Sequence, residues 1–245
     1  MKKTCVLGIQ FDVSDAEALL DKAMEIMKRR DSEYAVTPNA EIAILCRKDA
    51  ELKRAVDGAS LVLPDGIGII YASRITGERI ERKLAGVDFG EMLLKRLNDQ
   101  GMSLYLLGAK PGVAEKAAEN IKKRYPNICI SGLHDGYFTD DSAIMEEINS
   151  LSPDLLMVCL GAPKQEYWMS RYAGKLNTGL MIGLGGALDV YAGTARRAPK
   201  AWIDLGLEWL YRLIKEPKRI KRMIRLPLIL LYAAEDRKKN KKSGL

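Results

Sequence analysis

Asp65 stands in "LVLPDGIGII" (residues 61–70), where an apolar strand ends and a helix begins. A carboxylate there can cap the helix or, at the rim of a pocket, act as a general base. Pro64 fixes the backbone before it, Gly66 lets another molecule approach closely, and the helix N-terminus favours the charged form. Four other loops carry similar content. "YAV" runs into "TPNAE", where Thr37 and Asn39 offer short polar groups, and "LYLLG" runs into "AKPG". "MVCLG" leads to "APKQE", with backbone amides near Gly161 and Ala162 followed by Lys164 and Gln165, and "LMIG" leads to "LGGALDVYAG", with Gly185, Gly186 and then Asp189. Each alone is turn and cap chemistry. Five at one sheet edge describe a nucleotide-phosphate site, because glycine turns and helix N-termini present unpaired N–H groups to an anion.

The common nucleotide fingerprints are missing. The first strand candidate ends "GIQFDVSDAE" without G-x-G-x-x-G, and the later "GLGGAL" has Leu188 where the third glycine belongs. There is no Walker P-loop and no D-x-D pair to hold a divalent ion against a diphosphate. Metal-free handling of an anionic leaving group is open if backbone dipoles and Lys/Arg replace the ion, and no cofactor is expected. The single histidine, His134, excludes His-rich zinc sites and reads as a satisfied loop residue. Cys5, Cys46, Cys129 and Cys159 form no C-x-x-C pair and are expected to be buried free thiols.

The elements that must position these loops alternate as a parallel α/β sheet requires. Strand candidates are "CVLGIQF", "YAVTP", "SLVLP", "SLYLLG", "NICISG", "DLLMVCLG" and "LMIGLGG", with helices over 15–30, 39–56, 87–99, 111–124, 141–150 and 163–172. The expected fold is α/β, a Rossmann-like, mainly parallel sheet flanked by helices, with a basic helical C-terminal appendage. In such sheets ligands bind beyond the carboxyl ends of the strands, where these loops lie.

Charge divides the 245 residues unevenly. Residues 1–195 hold 24 Lys/Arg and 27 Asp/Glu, whereas residues 196–245 hold 15 and 5. The division suggests an α/β catalytic domain over 1–195 and a basic appendage over 196–245 that meets an anionic partner. In the appendage Ile203, Leu207, Leu210 and Ile214 share a helical face flanked by Trp202, Trp209 and Leu213, and "KRIKRMIR" leads into "LPLILLY". That composition suits a helix in an anionic membrane interface, or a hairpin packing its apolar face on the domain. No signal segment or run of ~20 apolar residues is present, so a cytoplasmic, peripherally membrane-associated protein is expected. On charge alone the appendage could instead bind nucleic acid, with the α/β domain as a nucleotide-binding module. A sugar-nucleotide epimerase or dehydrogenase is disfavoured by the absent fingerprint.

The segments "VTPNAEI", "LPDGIGI", "LAGVDF", "YLLGAKPGVAEKAAENIKKRYP", "HDGYF", "LGAPKQEYWM", "GLGGALDVYAG" and "RRAPKAWIDLGLEWLYRLIKEPKR" occur in an order that resembles the WecG/TagA/CpsF glycosyltransferases, over about residues 5 to 225. Within the family the similarity is strongest to members acting in wall teichoic acid synthesis. The resemblance implies an inverting, metal-independent transfer of N-acetylmannosamine from a UDP-sugar donor to the C4 hydroxyl of N-acetylglucosamine on undecaprenyl diphosphate. Related members use other UDP-sugars. It also implies that Asp65 is the base, that Thr37 and Asn39 contact the sugar or orient Asp65, and that Gln165 contacts substrate. Tyr137 and Asp189 are candidates for the base and ribose. Members commonly carry Arg where this chain has Lys83, which keeps the charge but loses the bidentate fork, and Arg82 beside it is a substitute leaving-group clamp. Arg212, Arg219 and Arg222 of the appendage are expected over the pocket, on the diphosphate. The expected partners are the UDP-sugar, a polyprenyl-diphosphate-linked acceptor and an anionic membrane surface, not nucleic acid; homo-oligomerisation is left open.

Overall fold

In the computed structural model, which describes residues 2–215, 217, 220 and 226–242, a hairpin precedes the alternating strands and helices. Strands β1 (Lys3–Val6) and β2 (Ile9–Asp12) pair antiparallel as a two-stranded sheet of their own. The single strand expected through "CVLGIQF" is therefore a correction. Leu7 and Gly8, with φ of 54° and 78°, make a two-residue turn between the strands. Such turns need left-handed backbone at both positions, usually supplied by Asn, Asp or Gly, and leucine disguised this one.

The main sheet follows the expected α/β plan. Strands β3 (Glu33–Val36), β4 (Leu61–Val62), β5 (Ser103–Gly108), β6 (Cys129–His134), β7 (Leu155–Cys159) and β8 (Leu180–Gly183) lie in the order β4-β3-β8-β7-β5-β6, every neighbouring pair parallel. Alternation along each strand divides two buried layers. Leu104, Leu106, Leu155, Met157, Leu180 and Ile182 face α1 (Ala16–Arg29), α5 (Gly86–Gln100), α6 (Val113–Arg124) and α9 (Ala187–Tyr191). Tyr105, Leu107, Leu156, Val158 and Met181 face α2 (Ala40–Cys46), α3 (Ala50–Asp57), α4 (Ile67–Thr76), α7 (Ser142–Leu151) and α8 (Lys164–Tyr172). Burial on both faces is why these strands read as continuous apolar runs.

Parallel pairing brings the loops after all six strands to one edge. After β5 the chain passes through α6 to β6 on one side, while after β7 it passes through α8 to β8 on the other. Adjacent strands with diverging connections leave a crevice between their carboxyl ends.

Two further expectations are corrected. The helix over 39–56 is two helices, because Asp49 accepts from the Glu51 and Leu52 amides and starts α3 anew. Cys46 and Cys159 are buried thiols, but Cys5 and Cys129, on the hairpin and on edge strand β6, are exposed.

The C-terminal segment does not form one amphipathic helix over 202–214. Gly206, at φ 72°, separates α10 (Lys200–Asp204) from α11 (Glu208–Lys215). Helix α12 (Leu226–Lys242) packs on α4 and α2, burying Ile229 and Ala233 in the core. Arg47 of α2 clasps it through an ion pair to Asp236 at 2.8 Å and a stack on Tyr232. Leu228, Leu230 and Leu231 remain outward. Truncating Ile229 to Ala removes buried methyl groups and leaves a cavity, at a cost of roughly 2–4 kcal/mol. Hydrogen exchange should then show α12 and the α4 face beneath it losing protection while β5 and β7 keep theirs.

Candidate active site

The crevice between β5 and β7 is a cleft of about 620 Å³. Its walls are the 109–110 turn after β5, the 136–139 loop after β6, the 159–161 turn and Lys164 after β7, and Gly185, Gly186 and Asp189 after β8. Of the residues singled out in the sequence, Tyr137, Gly161, Lys164, Gly185, Gly186 and Asp189 therefore share one lining. Tyr137 stands at the lip, 71% exposed. Lys164 donates to the Gly136 carbonyl at 3.0 Å and sits 4.5 Å from the Phe138 ring centroid, which holds its ammonium at the wall. Gly108, the last residue of β5, has φ 132°, and a Cβ there would lie 2.3 Å from the Cys159 carbonyl oxygen. Burial pushes the Cys159 thiol up to about 12, so it stays protonated and is no nucleophile.

Gln165 lies behind this lining, only 2% exposed. Its Oε1 accepts from the Gly185 N–H and its Nε2 donates to Glu166 Oε1, both at 2.9 Å. It lies flat against Gly183, where a Cβ would come within 2.9 Å of Nε2. The Gly183 carbonyl in turn accepts from buried Thr37 Oγ1 at 3.0 Å. One line of contacts thus runs from the "TPN" loop through β8 to the glycine wall.

A second group stands beside it. Asp65, half-buried, follows β4; its N–H donates to the Pro38 carbonyl at 3.3 Å, and the Leu84 N–H donates to the Pro64 carbonyl at 2.9 Å. These bonds tie together the loops carrying Thr37, Asp65 and Lys83. Gly66, not Asp65, is the N-cap of α4, at φ 81°. Asn39 Oδ1 caps α2 through the Glu41 and Ile42 amides, and its Cβ lies beside Gly66. Lys83 ion-pairs with Glu208 at the start of α11 at 3.8 Å, while Arg82 is exposed. Arg212 belongs to α11, and Arg219 and Arg222 lie outside the described residues. His134 bonds the Asp135 carbonyl and packs edge-on to Phe138.

The sequence reading missed three residues here. Arg197 makes a bidentate pair with Asp88 in the first turn of α5, and Asp88, Glu208 and Asp65 all raise its already high pKa. It puts a permanent cation near Asp65. Lys110 lines the cleft opposite Lys164. Glu166 is fully buried, its Oε2 has no hydrogen-bond partner among the described residues, and desolvation raises its pKa. "RRAPK", "AKPG" and "KQE" show these side chains, but their partners are distant in sequence or their burial depends on the folded sheet.

A raised folded-state pKa makes Glu166 a pH-dependent liability. Its stability contribution is fully present below the unfolded value of 4.5 and is lost as pH rises through the folded value. Glu166→Gln removes that dependence. Thermal melts should show the variant gaining on wild type as pH rises above 4.5, with no further pH-dependent difference below it.

A sequence model of the WecG/TagA/CpsF glycosyl transferase family matches residues 4–243. The chain is 39% identical over 207 residues to the N-acetylglucosaminyldiphosphoundecaprenol N-acetyl-beta-D-mannosaminyltransferase of Bacillus subtilis strain 168, covering 84% of this chain and 80% of that protein. It is 33% identical to the protein of the same name from Bacillus spizizenii over 79% and 76% of the two chains, and 28% identical to that of Staphylococcus aureus strain MW2 over 98% and 96%. With a match across nearly its whole length, and a cleft built from the same loops that carry the resemblance, this chain belongs to the WecG/TagA/CpsF family of glycosyltransferases.

Proposed function

We propose that the chain transfers N-acetylmannosamine from its UDP donor to the C4 hydroxyl of N-acetylglucosamine on undecaprenyl diphosphate. The transfer inverts the anomeric centre, gives a β-1,4 linkage, and needs no metal. The shared name of the three relatives supports the sugar and acceptor. The single observation that supports the chemistry is the chain of hydrogen bonds that ties the Asp65 loop to the loops of Thr37 and Lys83, and Thr37 to Gly183 below the glycine wall of the cleft.

The donor's diphosphate lies against the glycine turns and Lys164, with Asp189 towards the ribose and Tyr137 over the uracil. The acceptor hydroxyl oxygen attacks C1 from the face opposite the diphosphate, the C1–O bond to UDP breaks, and Asp65 takes the hydroxyl proton. Arg197 keeps positive charge near that carboxylate. Negative charge growing on UDP is met by Lys83, with Arg82 beside it, and by Arg212, Arg219 and Arg222 of the appendage, which closes over the cleft. Because Lys83 pairs with Glu208 of α11, a diphosphate there exchanges one anionic partner for another.

The appendage also seats the enzyme on the membrane. Leu228, Leu231 and Ile214 point outward close to many Lys/Arg, a surface suited to anionic headgroups and to a lipid-linked acceptor. Among the described residues no helix is long and apolar enough to cross a bilayer.

Asp65→Asn should lower turnover about 10²- to 10⁴-fold with UDP affinity nearly unchanged. Wild-type turnover would remove Asp65 from the mechanism. Incubating the protein with a panel of UDP-sugars and a short-chain polyprenyl-diphosphate-GlcNAc, then weighing the product, tests the donor; an excess of chelator should leave the rate unaltered. With a soluble acceptor, Arg219→Ala or Arg222→Ala should still slow the reaction roughly tenfold, about 1.4 kcal/mol. If both match wild type there and fail only on vesicles, these arginines serve the membrane alone.

A further inference from the structure

We propose that Glu166 is a positioning residue that fixes the orientation of the Gln165 amide and, through it, the glycine wall of the cleft. This rests on the reading of that cleft as the donor site only for its effect on nucleotide binding.

Gly185 sets the first constraint. Its N–H points at the Gln165 side chain at 2.9 Å, so Gln165 must present oxygen there. The two ends of a carboxamide have nearly the same shape, and packing cannot tell them apart. A flipped amide would set its NH₂ against the Gly185 N–H, donor against donor, and the half-buried glycine-loop amide would lose its partner. What selects the orientation is the group at the other end. Glu166 Oε1 sits 2.9 Å from Gln165 Nε2 and accepts from it. Burial shifts Glu166 towards its neutral form, which keeps a carbonyl acceptor and lowers the cost of a buried charge.

Stability does not account for a carboxyl at this position. Glu166 is 0% exposed and its Oε2 has no hydrogen-bond partner among the described residues, an arrangement that an apolar side chain of similar size would relieve. Burial confines the amide: Gln165 is 2% exposed and its Nε2 fills the space beside Gly183 that a Cβ would occupy, 2.9 Å from that position. The acceptor therefore acts on an amide that is confined in place but free to choose between two orientations. Gly185 and Gly186 both line the cleft, so the chosen orientation sets the backbone that a diphosphate would meet.

The test uses full-length protein labelled with ¹⁵N-glycine, comparing wild type with Glu166→Leu and Glu166→Gln. Leucine keeps the bulk and removes the acceptor; glutamine restores a carbonyl. In ligand-free protein the Gly185 amide should be protected in wild type and E166Q, and should exchange about tenfold or more faster in E166L, the scale of one lost hydrogen bond. The Kd for UDP should weaken about tenfold in E166L and return to the wild-type range in E166Q. Unchanged Gly185 protection in folded E166L, or an E166Q protein as impaired as E166L, overturns the proposal. A wild-type measurement guards against a misfolded variant: the Gln165 side-chain amide protons should exchange slowly, and exchange at the rate of an exposed glutamine also overturns it. If Gly185 responds as expected but none of the three proteins binds UDP, the positioning role stands and the donor-site reading falls.

Discussion

Strands β5 and β7 lie side by side and send the chain in opposite directions, and the site depends on that divergence. Where neighbouring connections run the same way, a helix covers the gap above the strand ends. Here α6 leaves towards β6 and α8 towards β8, and the uncovered crevice becomes the cleft. The turn residues follow from this geometry. Gly108 must pass within contact of the Cys159 backbone, and Gly183 must make room for Gln165, so neither position has space for a side chain. Parallel pairing then delivers the loops of Thr37, Asp65 and the glycine wall to the same edge.

Electrostatics divide the site into two regions. The cleft offers backbone N–H groups and the ammonium groups of Lys110 and Lys164, an environment for phosphate. The neighbouring region holds paired charges: Arg197 with Asp88, and Lys83 with Glu208, close to Asp65. Both pairs draw one member from beyond residue 195. The chain that follows the glycine wall therefore supplies side chains to the region around Asp65, besides forming α12, whose apolar face closes the core over α4 and α2.

Much of this was legible in the sequence because local rules govern it. Apolar runs buried on both faces gave the parallel sheet, and glycine and proline turns marked the strand ends where Gly161, Lys164, Gly185, Gly186 and Asp189 now meet. What escaped depends on contacts distant in sequence. Arg197 lies far along the chain from Asp88, and no spacing rule pairs them. Nothing in the sequence around Glu166 marks its burial, which comes from the packing of α8. The hairpin escaped because Leu7 occupies a left-handed position that its side chain disfavours, and the helix break at residues 47–49 because Asp49 reads equally well as a surface charge.

The claim that the switch-point cleft is the donor site is tested most directly by a crystal structure of the full chain soaked with UDP. The account predicts the diphosphate between the 109–112 turn and the 160–164 turn, with the ribose towards Asp189 and the β-phosphate directed at the Asp65 and Lys83 loops. The smaller cleft between α3 and α8, lined by Glu51, Arg54, Tyr167, Ser170 and Arg171, is the obvious alternative location. UDP bound there, with the cleft between β5 and β7 vacant, would contradict the account.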